Sequence, residues 1–205
     1  MTIKLHHLRV GRSVFTAWLL EELGEPYELE IYVRNEMGRA PPELKQVHPL
    51  GKSPVVEVDG IVLAESAAIA LYLVEAHNPN GLFLPPRAGA PRGKWFQWFH
   101  YPEGSAFAPL LLKLLLSRTE EPKPVLISMF AEAEVQLHLD YMQEGLGKGP
   151  YLFGEEMSLP DFGLTYICSM ADRLGLLEKH PKLKAYVERM TARPAFLKAV
   201  EKTGG

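Results

Sequence analysis

The 205-residue chain has one cysteine, Cys168, so it can close no disulfide on itself and suits a reducing compartment. It also lacks any apolar run long enough to span a bilayer. The richest, Pro109–Leu116 (PLLLKLLL), is too short and carries Lys113 in its middle. Residues 1–15 show no basic segment followed by an apolar core, so no secretory signal is expected. Positive charge is not in excess: the formal net charge of −3 argues against a nucleic acid or an anionic membrane as partner. HxxxH and CxxC spacings are absent, as are GxSxG, P-loop and GxGxxG motifs, so no metal site or nucleotide loop is expected. These absences lead to the expectation of a soluble cytoplasmic protein. What is present, 47% apolar and 23% charged residues, is the balance of a folded chain and excludes disorder.

The first third alternates strand and helix patterns. Ile3–Leu8 (IKLHHL) reads as a strand, and Phe15, Leu19 and Leu23 recur at helical spacing, with Ser13 as the expected N-cap and Gly24 as the stop. Tyr27, Leu29 and Ile31 then alternate at strand period, which completes a βαβ unit whose strands are expected to be parallel. Residues 33–53 form a long polar connection with one short helical piece at 43–46, and a connection of that length is usually functional. Val55–Val58 and Ile61–Ala64 flank Asp59-Gly60, a strong signal for a two-residue hairpin turn. Glu65-Ser66 opens an alanine-rich helix predicted over 66–77, whose first N–H groups would favour an anion.

The Pro- and Gly-rich stretch 81–93 reads as a linker between a first domain at 1–80 and a second at 94–205. No strand pattern follows. Helices are predicted at about 92–117, 125–144, 158–174, 181–191 and 195–202, with Pro102 and Pro109 expected to kink or break the first. Ser158-Leu159-Pro160-Asp161 has the form of a capping box. The fold class expected is an α/β thioredoxin-like domain followed by an all-helical one.

A thioredoxin-like domain could be a dithiol oxidoreductase, but such chemistry needs a cysteine at the start of the first helix, where this chain has Val10-Gly11-Arg12-Ser13. Disulfide exchange by its own thiols is excluded; a thiol brought by a ligand is not. His6 and His7 are adjacent on a strand and must point to opposite faces, and Cys168 on an apolar helix reads as core. Among Trp95, Trp98, Phe99 and Tyr101, core packing competes with the lining of an apolar ligand cleft.

Several segments, in order, resemble the cytosolic glutathione S-transferases along essentially the whole chain, most of all a bacterial and fungal branch. Ser13–Glu28 (SVFTAWLLEELGEPYE) is similar to that branch's first helix. Pro49–Pro54 (PLGKSP) followed by Glu65-Ser66 resembles the glutathione-binding signature. His100–Leu116 resembles the first helix of the second domain, SLPDF at 158–162 the N-capping box, and RPAFL at 193–197 the terminal helix. The resemblance implies that the protein activates the thiol of glutathione, its co-substrate, for attack on a small hydrophobic electrophile, as a homodimer without a metal. It also implies roles for particular residues. Glu65 and Ser66 would hold the γ-glutamyl end, Ser53, before a cis Pro54, would pair its backbone with the cysteinyl part, and Lys52 would face the glycine carboxylate.

Thiol activation falls to Ser13, with Arg12 and His7 as helpers, because Gly11 stands where the branch usually has the first serine of a Ser-Arg-Ser triplet. Trp98, Tyr101 and Phe107 are the expected electrophile contacts, from a helical domain that contributes that site. Two alternatives share the fold: a non-catalytic glutathione-binding scaffold, and a glutathione-dependent peroxide or disulfide reductase.

Overall fold

The computed structural model describes residues 2–204 and divides into two compact units. One runs to Leu84 and takes up the chain again from Thr191; the other is Pro85–Met190. In the first, β1 (Ile3–Leu8), β2 (Tyr27–Tyr32), β3 (Val55–Val58) and β4 (Ile61–Ala64) form a sheet of order β2-β1-β3-β4. β1 and β2 are parallel and joined through α1 (Ser13–Leu23), as the βαβ pattern requires, while β3 runs antiparallel to both β1 and β4. The Asp59-Gly60 turn has φ of 51° and 80°, so both residues adopt the left-handed conformation that a tight hairpin needs. α2 (Leu44–Val47) is one short turn, and α3 (Ser66–Ala76) follows β4. Leu5, Val56, Leu19, Leu20, Ile69 and Leu73 are fully or almost fully buried and form the core between sheet and helices.

The second unit holds α4 (Gly89–Tyr101), α5 (Phe107–Ser117), α6 (Val125–Gly145), α7 (Leu159–Arg173) and α8 (Pro181–Thr191), the last ending at the unit boundary. Pro102 does not break the chain's path. Residues Pro102–Ala106 form a π-helical turn in which the Phe107 N–H reaches back to the Pro102 carbonyl, so α4 runs on into α5 through a wider turn. Room for it comes from Gly163 on α7, where a Cβ would lie 3.1 Å from the Pro102 ring. The capping box forms. Asp161 accepts from the Ser158 N–H at 2.8 Å and its hydroxyl at 2.7 Å, and its other oxygen from Leu152 N–H at 2.9 Å and Tyr186 hydroxyl at 2.8 Å. These four donors compensate a fully buried carboxylate, whose pKa burial pushes up and the hydrogen bonds pull down. Cys168 is fully buried, and burial pushes its thiol pKa up, which suits a core residue.

One expectation is corrected. The terminal helix α9 (Pro194–Thr203) does not belong with the helical unit but packs on α1 in the first. Lys198 and Lys202 meet Glu21 at 2.6 and 2.5 Å, Arg193 forks onto Glu22 at 2.6 and 2.9 Å, and Trp18 sets its ring edge-on to Phe196. A basic helix thus returns to an acidic one from more than 170 residues away, a separation that no local pattern reports. The linker reading is sharpened too: the boundary falls at Leu84/Pro85, and helix already begins at Gly89.

Candidate functional site

Three segments of the first unit converge at the C-terminal end of β1. The first is the loop entering β3. Gly51, at φ 56°, passes so close to α2 that a Cβ would fall 2.7 Å from the Lys45 side chain, and Ser53–Pro54 is a cis peptide. The Ser53 hydroxyl donates to the His6 carbonyl at 2.7 Å and accepts from the Leu8 N–H at 3.1 Å. The β1–β3 ladder begins at His6↔Val55, so this side chain continues it by one step and keeps Ser53's own backbone outside the ladder. Lys52 beside it is exposed, and Pro54 is buried.

The second segment is the start of α3. The β3–β4 ladder ends at Val55↔Ala64, so the residues that lead into it at 53–54 and the residues that leave it at 65–66 are at the same end of the hairpin. The first helical hydrogen bond runs from Ile69 N–H to the Glu65 carbonyl, which leaves the N–H groups of residues 66–68 without helical acceptors. Glu65 is exposed and holds φ 71°, ψ 114°, a conformation that L residues rarely occupy; strain of this kind costs about 1–3 kcal/mol and gathers at functional sites. Free N–H groups, a hydroxyl and a helix dipole make this end receptive to a carboxylate.

The third segment is the turn from β1 into α1. Here the structure departs from expectation at Ser13. Arg12 is the N-cap and Ser13 the first helical residue, fully buried, with its hydroxyl 2.9 Å from His7 Nδ1. This hydroxyl is buried and engaged by the imidazole, and it stands 3.7 Å from where a Gly11 Cβ would be. Burial, helped by the Arg9 charge and opposed by the Thr203 backbone, lowers the His7 pKa to about 4, so His7 is neutral near pH 7. Ser13 and His7 therefore read as an internal brace rather than as thiol donors. His6, on the other face, bonds Tyr32 at 2.9 Å and Glu57 at 2.7 Å, so the two histidines do point apart. Gly11 is fixed by sterics: a Cβ there would stand 2.7 Å from the Leu8 carbonyl.

Sequence reading missed two features of this turn. Val10 is 71% exposed at φ 55°, which for a β-branched residue is an outlier. Arg34, just beyond β2, sends Nε–H to the Arg9 carbonyl at 3.1 Å and its two terminal nitrogens to the Gly38 and Val10 carbonyls at 2.9 and 3.3 Å. The partners of Arg34 across the turn are about 25 residues away, beyond any local signal.

In the helical unit, Trp98 and Tyr101, the expected electrophile contacts, pack against their neighbours. Trp98 is 7% exposed, stacks on Tyr141 with centroids 5.0 Å apart, and lies where any side chain at Gly145 would collide with it. Tyr101 packs against Trp98 and places its hydroxyl 2.7 Å from His138 Nδ1. Phe107 is half-buried, with its ring 6.0 Å from that of Tyr166. Among the described residues no group of three or more metal-ligating side chains comes together.

A thioredoxin-like sheet with a cis-proline loop and a receptive helix N-terminus, followed by a helical unit, defines the class to which this chain should be compared. The family model described as glutathione S-transferase, N-terminal domain matches residues 1–75, and the one for the C-terminal domain matches 110–202. Glutathione S-transferase 3 of Schizosaccharomyces pombe is 33% identical across 98% of this chain and 87% of its own length. A glutathione S-transferase structure from Actinobacillus pleuropneumoniae superposes with a TM-score of 0.88 at 33% identity, over 100% of this chain and 94% of that one. A Sulfitobacter glutathione transferase homologue, solved with bound glutathione, shares the fold at TM-score 0.81 and 21% identity, over 98% of each chain. The chain belongs to the glutathione S-transferase family.

Proposed function

We propose that the protein is a glutathione transferase that binds glutathione along the Ser53–Ser66 end of its hairpin and directs the thiolate at a small hydrophobic electrophile. The observation that carries this reading is that a backbone left outside the ladder at Ser53 and the open N-terminus of α3 at Ser66 are at the same end of the hairpin. A peptide adding there would lay its cysteinyl part against Ser53 and the cis Pro54, and its γ-glutamyl carboxylate on Ser66 and the N–H groups beside it. Exposed Glu65 would take the ammonium group, and Lys52 the glycine carboxylate. Because the Ser53 hydroxyl is bonded to both His6 and Leu8, the thiol of such a ligand would point to the end of β1 and the turn at residues 9–12.

Arg12 stays in this proposal as part of the positive field around that turn, and Phe107 as the aromatic that offers the electrophile an apolar contact. A cytoplasmic setting, where glutathione is reduced, accords with a single, buried cysteine. Self-association as a homodimer draws support from α6, where Leu126, Met129, Phe130 and Leu137 recur on one helical face and are 56–82% exposed. Among the described residues no helix is long and apolar enough to cross a membrane.

The test is calorimetric titration with glutathione together with conjugation of a chlorodinitrobenzene-type electrophile. Saturable heat and a glutathione-dependent product are expected; no binding at millimolar glutathione would overturn the reading. Binding without conjugation or any shift in thiol pKa would return the protein to a scaffold role.

A further inference from the structure

We propose that Arg34 is the positioning residue of the thiol site: its guanidinium clamps the β1–α1 turn and supplies the positive charge that holds the ligand's thiol as thiolate. The inference rests on the glutathione reading above, which brings a sulfur to this turn.

Gly11 can offer no hydroxyl, and its Cβ space is closed by the Leu8 carbonyl. The Ser13 hydroxyl is buried against His7. An Arg34 terminal nitrogen and the Ser13 hydroxyl oxygen each stand 3.7 Å from where a Gly11 Cβ would be, and of the two only Arg34 carries charge and is exposed. Arg34 is exposed on its outer side and anchored on its inner side by the carbonyls of Arg9, Val10 and Gly38. A guanidinium carries five N–H groups, so these three bonds leave two for a ligand.

The anchor is itself ordered. The Asn35 side chain accepts from the N–H groups of Met37 and Arg39 at 3.1 and 2.9 Å, and Gly38 N–H bonds the Asn35 carbonyl, which fixes the carbonyl that Arg34 holds. Val10, strained at φ 55°, lies between two of the clamped positions, so the clamp is what keeps the turn in this conformation.

Within the turn itself, the charges are of one sign. Arg9, Arg12 and Arg34 carry positive charge, His7 behind them is neutral near pH 7, and no acid occurs from His7 to Val14. On the facing loop, 33–39, Glu36 and Arg39 offset each other in formal charge. A cation a few ångströms from a thiol in a partly solvated site lowers its pKa by about one unit, or about tenfold in thiolate at a pH below that pKa.

The experiment compares the full-length wild type with Arg34→Gln and Arg34→Lys. Three readouts are taken: glutathione affinity by calorimetry, the thiol pKa of bound glutathione from ultraviolet thiolate absorbance, and the pH profile of kcat/KM. Arg34→Gln should raise the bound-thiol pKa by about one unit and lower kcat/KM about tenfold at neutral pH, with recovery as pH rises and affinity changed less than about threefold. Arg34→Lys, which keeps the charge but not the fork, should fall between the two. It also stands in should the Gln variant not fold, and then a bound-thiol pKa above the wild type supports the clamp. A wild-type thiol pKa and pH profile in whichever variant folds overturns it, even where melting temperature drops. Absence of glutathione binding by the wild type would instead bring down the reading on which it rests.

Discussion

The hairpin end from Lys52 to Ser66 and the turn from His7 to Ser13 adjoin each other yet are built on opposite plans. The first turns its polar groups outward: an exposed lysine, an exposed glutamate in a strained backbone, and a helix start with open N–H groups. The second turns its conventional chemistry inward, with the serine hydroxyl and the imidazole bonded to each other in the core. On the proposed function, the difference makes grip and activation separable. The grip depends on what each residue presents, whereas the turn depends on what holds its backbone.

The contrast can be broken first at the grip. Ser66→Ala removes a hydroxyl from a carboxylate site and should weaken glutathione binding about tenfold or more in calorimetry, since hydrogen bonds to charged groups are worth roughly 1.5–3 kcal/mol. Melting temperature should hardly change. Ser13→Ala should do the reverse. Loss of a buried hydrogen bond lowers stability by about 1–2 kcal/mol in denaturant unfolding, while glutathione affinity stays that of the wild type. A large affinity loss with unchanged stability would move Ser13 into the grip.

The inward plan also has a pH signature. His7 is depressed from 6.5 to about 4, so the folded state resists its protonation more than the unfolded chain does. Its contribution is complete above about pH 6.5 and is lost as pH falls toward 4. Thermal melts should show a drop in stability across that window, and His7→Phe should flatten it.

Val10→Gly relieves a strained β-branched residue and should raise stability by up to about 1 kcal/mol in denaturant unfolding, with conjugation little changed while the Arg34 clamp is intact. Smallest is Lys52→Ala. An exposed ammonium contributes little, and about threefold weaker binding that disappears at high salt is expected in a salt-dependent titration.

The same division decides how much was legible beforehand. The hairpin, its Asp59-Gly60 turn, the parallel βαβ unit and the Ser158–Asp161 box are local patterns, where turn chemistry and side-chain period settle the outcome within a few residues. Hairpin register also brings the residues entering β3 and those leaving β4 to one end of the hairpin. The return of α9 to α1, the Gly145 space that receives Trp98, and the Arg34 clamp depend on residues brought together across 25 to more than 170 positions. Ser13 illustrates the limit: helix-start chemistry makes it the N-cap, whereas Arg12 caps the helix and the Ser13 hydroxyl is held by His7 from six residues upstream.

The claim that activation lies in a clamped backbone and its charge, not in the Ser13 hydroxyl, is tested most directly by the thiol pKa of glutathione bound to Ser13→Ala. The account predicts the wild-type pKa in a less stable protein. A rise toward the free-thiol value near about 8.5, with affinity and stability unchanged, would contradict it.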